Sequence, residues 1–331
     1  MSKKKITISE ISEITHVSPA TISRVLNHPE LVHQSTIDKV HKAMEQLGYI
    51  TSASSNAQYN QTPLVMAIIP DISNSFYNEI FDSLAKAART NGFELLIHEA
   101  QLNNNSIDGF LNLIRQLNIS GIILLNNTSS IIVNRIQECI PVVQCLNQNP
   151  DSNIPYITID DYKAAHMAVD YLISRGCTKF SMVNGSPSCN FTHERYRGFM
   201  DALNEAELSV QLPWVINLPS INYEMAYAAA YRLLSGDVKP DSFFTSSDIF
   251  ASAVVKAAKS LGLRVPEDIK VVGFDNIELS RLTSPSITTI NQPKSGIGFA
   301  AFEMLVQLIE HPDTEINSII LDPELIIRET T

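Results

Sequence analysis

The chain has 331 residues, of which 44% are hydrophobic and 18% charged, and its formal net charge at pH 7 is −11. This composition is typical of a globular protein with a large core and excludes a disordered or fibrous chain. No apolar run approaches the length of a membrane span, and the basic start "MSKKK" is not followed by the apolar segment of a signal peptide. We therefore expect a cytoplasmic protein of two or three domains.

The cysteines give no sign of a metal or redox centre. They stand at Cys139, Cys145, Cys177 and Cys189. None forms a CxxC pair or has a histidine at metal-ligand spacing, a pattern typical of reduced structural thiols. The sequence therefore predicts no metal site and no cofactor.

Charge is unevenly distributed along the chain. Residues 1–62 contain six Lys and Arg against five Asp and Glu, a net charge of +1, so the remainder carries −12. A segment of this kind could approach a polyanion, but it could equally be a small domain that is merely neutral. Charge alone does not decide between these alternatives.

The first fifty residues predict three short helices around one small core. Thr7 and Glu10 form a capping-box pattern at the start of the first helix. Ser18 can cap a second helix with Pro19 at its first position, and a third helix follows from a cap at Ser35.

One face of the second helix carries small and hydrogen-bonding side chains at the spacing i, i+3, i+4, i+7: Ala20, Ser23, Arg24 and Asn27. Small side chains let a helix approach a DNA groove, hydroxyls bind phosphates, and Arg24 can bridge the two acceptors of a guanine. From these residues alone, a DNA-binding helix-turn-helix and a protein-interaction module remain equally open.

The order of residues distinguishes the two. The stretch "ITISEISEITHVSPATISRVLNHPELVHQSTIDKVHKAMEQLGYI" resembles the headpiece of the lactose/galactose-repressor (LacI/GalR) family of bacterial transcription regulators, whose pattern runs VS-x-x-T-[VI]-SR-x-[LV]-N and closes with LGY. The resemblance implies that double-stranded operator DNA is bound by Thr7, Ser18, Pro19, Ala20, Thr21, Ser23, Arg24 and Asn27. Pro19, Ala20 and Arg24 would face bases, and the hydroxyl and amide side chains would mainly hold phosphates.

The segment after the headpiece departs from the family pattern. Relatives continue into a hinge helix whose leucine wedges into the minor groove. Here the text is "ITSASSNAQYNQTP", and Gln58 stands where the leucine would be. Ser, Asn and Gln favour a flexible tether over a helix. We therefore expect a headpiece at residues 1–50 and a flexible linker at 51–62.

From residue 63 onward, apolar runs such as "LVMAII", "GIILL", "SFFT" and "KVVGF" alternate with amphipathic helices. Two such series predict two doubly wound parallel α/β lobes with a cleft between them. The motifs "IPDISNSFYNEI", "ITIDD", "GFDNIELS" and "TTINQP" match the family, whose lobes are of periplasmic-binding-protein type and whose chain crosses between them three times. Residues 63–331 then form a ligand-binding and dimerisation core, with lobe 1 at about 63–159 and 291–312 and lobe 2 at about 160–290 and 313–331.

Ligands of α/β lobes bind at the carboxyl ends of the strands. The candidate effector-binding residues are Phe76, Tyr77, Asp160, Phe191, His193, Arg195, Ile221, Ser247 and Asp275. Arg195 in "RYRG" and Asp275 in "GFDN" match ligand-contacting positions of the family. For Asp71 and Asp248, also near strand ends, a structural capping role is at least as well supported.

Three of these candidates have a structural alternative. Phe76 and Tyr77 either stack on a flat ligand or belong to the core. His193, on a predicted cleft loop before Arg195, either contacts the ligand or is a satisfied surface group.

Within the family, the chain most resembles the cytidine-responsive repressors, through "PDI", "GFDNI", "ELIIR", a histidine two residues before the pocket arginine and the missing hinge leucine. That resemblance implies a nucleoside inducer such as cytidine, and the cyclic-AMP receptor protein as a partner on DNA. We expect a homodimer, with a tetramer as the open alternative. A sugar-responsive repressor remains the alternative, because Ile221 stands where many relatives have an aromatic residue.

Other classes of protein fit less well. The sequence has no GxSxG elbow, no GxGxxG after the first strand and no P-loop, so we expect no enzyme. A periplasmic sugar receptor shares the two-lobe design, but it would need a signal peptide and would have no DNA-reading headpiece.

Overall fold

A computed structural model describes residues 8–27, 31–46, 62–147 and 152–331. The chain divides into two compact units, Met1–Thr62 and Pro63–Thr331, called here the headpiece and the core. Thr7 and linker residues 51–61 lie outside the described ranges. In the described parts of the chain, no helix is both long and apolar enough to cross a membrane.

The headpiece contains the helices α1 (Ile8–Thr15), α2 (Pro19–Asn27) and α3 (Gln34–Gln46). Their apolar stripes meet in one core of Ile11, Ile22, Val25, Ile37, Val40 and Met44. The turn between α1 and α2 contains His16 in the left-handed region, at φ 53°. Ser18 then caps α2, because its Oγ accepts a hydrogen bond from the Thr21 N–H at 3.1 Å.

The core contains two six-stranded sheets. The first has the order β11-β5-β4-β3-β1-β2, and all its strands are parallel. Its strands are β1 (Leu64–Ile69), β2 (Glu94–Glu99), β3 (Ile119–Leu124), β4 (Val142–Cys145), β5 (Tyr156–Ile159) and β11 (Ile319–Leu321). The helices of this lobe are α4 (Asn78–Thr90), α5 (Ile107–Gln116), α6 (Ser130–Gln137) and α12 (Lys294–Glu310).

The second sheet has the order β12-β10-β9-β8-β6-β7 and is parallel except for β12, which runs antiparallel to β10. Its strands are β6 (Phe180–Asn184), β7 (Val215–Asn217), β8 (Ser242–Thr245), β9 (Lys270–Asp275), β10 (Thr288–Asn291) and β12 (Glu324–Ile326). The helices of this lobe are α7 (Asp161–Ser174), α8 (Asn190–Glu205), α9 (Tyr223–Leu234), α10 (Asp248–Ser260) and α11 (Glu278–Leu282).

The apolar strands explain the layering. Along β1, Val65, Ala67 and Ile69 belong to one apolar cluster, and Met66 and Ile68 belong to another. Successive residues of a strand point to opposite faces, so the sheet is covered on both faces. The prediction of a helix-turn-helix headpiece followed in the chain by two doubly wound parallel lobes is confirmed.

The chain crosses between the lobes at 159–161, 291–294 and 321–324. The placing of all of residues 313–331 in lobe 2 was wrong. Ile319–Leu321 pair in parallel with Ile157–Ile159 and extend the first sheet by one strand. The third crossing therefore comes after Leu321, and only the last ten residues return to lobe 2.

Candidate ligand-binding cleft and DNA-binding face

Arg195, on α8 of the second lobe, is a buried cation. Its guanidinium lies 3.5 Å from the ring centroid of Phe274 and 4.7 Å from that of Phe191. Its Nε donates to Oδ1 of Asp161 at 2.8 Å, and its Nη1 donates to the carbonyl oxygen of Ser246 at 2.9 Å. These bonds engage two of the five guanidinium N–H donors. The group is therefore held in a fixed orientation and can donate further bonds to a ligand hydroxyl or a base edge.

Asp161, the first residue of α7, is the partner of that guanidinium. Burial raises the pKa of its carboxyl to about 6, although the charge and hydrogen bond of Arg195 act in the opposite direction. Among the acids near strand ends, the sequence pointed to Asp160 as a candidate, and Asp161 was missed. The repeated Asp in "ITIDD" was the available signal, since the second Asp is helical and faces α8.

Asp275 ends β9 and is buried. Its Oδ1 accepts a hydrogen bond from Nε2 of Gln292 at 2.8 Å, and its carbonyl oxygen accepts one from Nζ of Lys294 at 2.6 Å. Burial raises the pKa of the carboxyl, while the charges of Arg195 and Lys294 lower it. The structure thus brings Asp275 and Arg195, the two positions matched to the family's ligand contacts, into one electrostatic environment.

The two adjacent aromatic residues have different surroundings. Phe76 is buried in the large apolar cluster that contains residues of both lobes. Tyr77 is only partly buried and packs parallel to Phe81, with ring centroids 5.9 Å apart. Burial raises the pKa of the Tyr77 hydroxyl, and the charge of Asp275 adds to the effect. Tyr77 is therefore close enough to Asp275 of the second lobe to be affected by its charge.

Asp160 and Phe191 line a cavity of about 200 Å³, together with Leu146, Thr158 and Asp161 among others. Asp160 is also the N-cap of α7, because its Oδ1 accepts a hydrogen bond from the Lys163 N–H at 2.9 Å. The carboxylate therefore has a structural partner on one side and a cavity on the other.

His193 lies apart from these residues. Helix α8 begins at Asn190, so the expectation of a cleft loop before Arg195 was wrong. On a helix Phe191 and Arg195 share one face, whereas His193 points to the other. Its Nε2 is 2.6 Å from the carbonyl oxygen of Pro187, and the ring lines a different cavity, of about 310 Å³, on the second lobe.

The remaining candidates lie at the strand ends of the second lobe. Ser247 caps α10, since its Oγ accepts a hydrogen bond from the Ile249 N–H at 3.3 Å. Ile221 is partly buried near Gly185, at the end of β6. Asp248 accepts hydrogen bonds from Oγ1 of Thr289 at 2.6 Å and from the Ile277 N–H at 2.8 Å. Asp248 therefore has a structural role. The exposed Asp71 has one as well, because its Oδ1 accepts a hydrogen bond from the Ser73 N–H at 2.8 Å within a local turn.

Three buried polar atoms in the described part of the core have no hydrogen-bond partner: Oδ1 of Asn126, Oδ1 of Asn147 and Oγ of Ser246. They follow the carboxyl ends of β3, β4 and β8 within two residues. Buried polar groups are almost always paired, so unpaired ones at this edge of both sheets favour a polar ligand there. Sequence reasoning missed all three, because Asn and Ser after a strand are equally typical of ordinary turns.

The DNA-facing candidates lie on the side of α2 opposite the headpiece core. Pro19, Ala20 and Arg24 are exposed, and Thr21 and Ser23 are partly buried. The Asn27 side chain falls outside the described residues. The observed exposure matches what a groove-reading face needs.

In the parts of the chain that the structure describes, no three His, Cys, Asp or Glu side chains converge. These parts therefore contain no candidate metal site. The candidate cleft instead offers hydrogen-bonding groups and aromatic faces. Such a lining is typical of sites for polar organic ligands.

Comparison with known proteins agrees with this division. The family model "Bacterial regulatory proteins, lacI family" matches residues 7–52, and the model "Periplasmic binding protein-like domain" matches residues 169–331. Among solved structures, a transcriptional regulator CelR–cellobiose complex has a TM-score of 0.75 at 23% identity and covers 99% of this chain and 100% of its own. At that identity the likeness shows the fold.

Two curated relatives extend over nearly the whole chain. The HTH-type transcriptional repressor CytR of Escherichia coli K12 is 31% identical over 328 residues, covering 98% of this chain and 96% of the relative. The ribose operon repressor of Halalkalibacterium halodurans is 28% identical over 327 residues, covering 98% and 97%. The chain therefore belongs to the LacI family of bacterial regulatory proteins and is a transcriptional repressor with a ligand-binding domain rather than an enzyme.

Proposed function

We propose that this repressor binds a nucleoside, with cytidine as the best candidate, in the cleft between its lobes and releases its operator when the nucleoside is bound. The observation that carries the proposal is the buried Arg195, fixed by Asp161 and flanked by aromatic rings. Guanidinium and carboxylate groups recognise the vicinal hydroxyls of a ribose, and aromatic faces suit a flat base. The similarity to CytR supports the same class of effector.

The second candidate is a sugar effector. It is favoured by the similarity to a ribose operon repressor and by Ile221, which offers no aromatic face. A nucleoside and free ribose share the hydroxyls that Arg195 and Asp275 would bind. Only a base would gain from contact with Phe191 or Tyr77, so the base decides between the two effectors.

On the DNA side, we propose that two subunits pair and place two headpieces on a near-palindromic operator. Arg24 reads a base there, and Pro19 and Ala20 also face bases. Ser18, Thr21, Ser23 and Asn27 contact phosphates, and Thr7 also contacts the DNA. The site of action is then the cytoplasm, where the operator is. The family resemblance adds the cyclic-AMP receptor protein as a partner on the same DNA.

Isothermal titration of the purified protein with cytidine, uridine, adenosine and ribose tests the effector class. We expect cytidine to bind at least about tenfold more tightly than ribose, a difference of ~1.4 kcal/mol. The sugar alternative would be supported if ribose binds as tightly as cytidine and if uridine and adenosine do not bind. No binding of any of the four would contradict both candidates.

A further inference from the structure

Lys294 begins α12, directly after the second crossing between the lobes. Its side chain is 2% exposed, and its Nζ donates to the carbonyl oxygens of Asp275 at 2.6 Å and of Asn276 at 3.3 Å. The same nitrogen lies 3.5 Å from Oε1 of Glu79 on α4. An ammonium has three N–H donors and no acceptor. One buried cation therefore faces acceptors from both lobes.

The turn that Lys294 holds has an unusual backbone. Asp275 and Asn276 have φ angles of 100° and 48°, in the region that favours glycine. Such conformations persist only where the surroundings hold them. Gln292 bonds the Asp275 carboxylate, and Nη2 of Arg328 donates to Oδ1 of Asn276 at 2.7 Å. Hydrogen bonds thus connect this turn to the second crossing between the lobes and to Arg328, near the C-terminal end of the second lobe.

Helix α12 is in direct contact with α4. A Cβ at Gly298, one turn after Lys294, would lie 2.8 Å from the carbonyl oxygen of Ile80 and would clash with Oγ of Ser83. The two helices therefore meet at backbone distance, with no flexible side chain between them at this point. A displacement at the start of α12 is passed to α4, because closely packed interiors transmit strain.

We propose that Lys294 is a positioning residue that transmits effector occupancy at Asp275 to α4 of the first lobe. The inference rests on the proposed function, because it requires an effector that contacts Asp275. An effector bonded to that carboxylate shifts the strained turn, Lys294 follows the two carbonyl oxygens, and its ion pair with Glu79 carries the shift into the first lobe. Removing the ammonium leaves the effector's own contacts in place and breaks this connection.

The test compares Lys294→Met and Glu79→Gln with a matched control, Lys163→Met. Nζ of Lys163 pairs with Asp322 at 2.6 Å near the third crossing, but the lysine side chain is 54% exposed. Titration calorimetry gives the cytidine affinity. Fluorescence anisotropy, with an operator fragment selected from random-sequence DNA, gives the factor by which saturating cytidine weakens DNA binding.

We expect Lys294→Met and Glu79→Gln to reduce that factor to about twofold or less, while cytidine affinity stays within about threefold of wild type. Lys163→Met should keep the wild-type factor. A wild-type factor in both test variants, or an equal loss in the control, would overturn the inference. If Lys294→Met does not fold, Glu79→Gln still decides, since its side chain is 55% exposed.

A ligand-free measurement separates this inference from the proposed function. Hydrogen exchange of the unliganded protein should become faster in residues 275–277 and in the first turn of α4 in Lys294→Met, and only in α4 in Glu79→Gln. Unchanged exchange in both segments would refute the connection. A wild-type protein that binds no cytidine, yet shows this exchange pattern, would refute the proposed effector and keep the connection.

Discussion

Arg195 and Asp161 form a buried ion pair between α8 and α7, with Nε and Oδ1 2.8 Å apart and side chains 6% and 9% exposed. Leaving either charge buried without the other costs several kcal/mol, so the pair keeps both side chains in place. The guanidinium is consequently oriented before a ligand arrives. Preorganisation of this kind reduces the entropic cost of binding.

Replacing Arg195 by lysine tests the ligand-binding role of the guanidinium. Lysine keeps a positive charge for Asp161 but lacks the planar fork and its ring contacts. We expect cytidine affinity to fall by about tenfold or more while operator affinity without effector stays within about threefold. Titration calorimetry and anisotropy measure the two quantities.

The control for this substitution is Arg197→Lys on the same helix. Arg197 forms an exposed ion pair with Glu194 at 2.7 Å, and such pairs contribute little. Arg197→Lys should change neither the affinity for cytidine nor the affinity for the operator. Loss of operator binding in Arg195→Lys would assign Arg195 a purely structural role.

The raised pKa of Asp161, about 6, predicts a pH dependence of stability. The folded state binds the Asp161 proton more tightly than the unfolded chain does. This protonation therefore adds to the free energy of unfolding below about pH 4, and the added stability is lost as the pH rises through about 6. Asp161→Asn removes the titration and keeps an oxygen for Nε of Arg195. Relative to this variant, the wild type should lose about 2–3 kcal/mol of unfolding free energy between about pH 4 and about pH 7.

Urea unfolding at a series of pH values measures that difference. Because both proteins share every other titrating group, the comparison isolates Asp161. A wild type that instead gains stability relative to Asp161→Asn as the pH rises would show that Arg195 outweighs burial.

The close contact of α12 with α4 predicts different effects of alanine substitution at two glycines of one helix. Gly298→Ala introduces a Cβ that clashes with Ser83, and overpacking of this kind destabilises by about 1–3 kcal/mol. At Gly296 the nearest atoms to an added Cβ are 3.9 Å away. Gly296→Ala should be neutral or stabilise by up to about 1 kcal/mol through helix propensity. Thermal unfolding checks both, and equal effects would contradict the backbone contact.

Arg24 is expected to read one base of the operator. Arg24→Ala should cost about 1–3 kcal/mol of binding free energy and relax specificity at a single position. Binding selection from random-sequence DNA, with wild type and variant in parallel, measures this. Lys39→Ala, an exposed change on α3, should leave the selected sequence as it is. A uniform loss on all sequences in Arg24→Ala would assign Arg24 to phosphate contact.

Patterns of local origin were predictable from the sequence. Helix and strand periodicities follow from residue spacing, and they predicted the three headpiece helices and the alternating strands of both lobes. His193 shows where the same reasoning failed. Its neighbours are turn formers, yet the helix starts at Asn190 and turns the imidazole away from Arg195.

Contacts between distant segments were not predictable in this way. The bond between Lys294 and the Asp275 carbonyl oxygen joins a crossing segment to a strand end, and only the folded chain brings the two together. The same holds for β11, whose place in the first sheet depends on pairing with β5. Sequence patterns of a short strand do not reveal its partner.

Cytidine binding in the cleft is expected to weaken operator binding. The most direct measurement is the affinity of the protein for its selected operator fragment, by fluorescence anisotropy, with and without saturating cytidine. We expect cytidine to weaken the complex by about tenfold or more, a coupling free energy of ~1.4 kcal/mol or more. Unchanged or tighter operator binding in the presence of cytidine would contradict it.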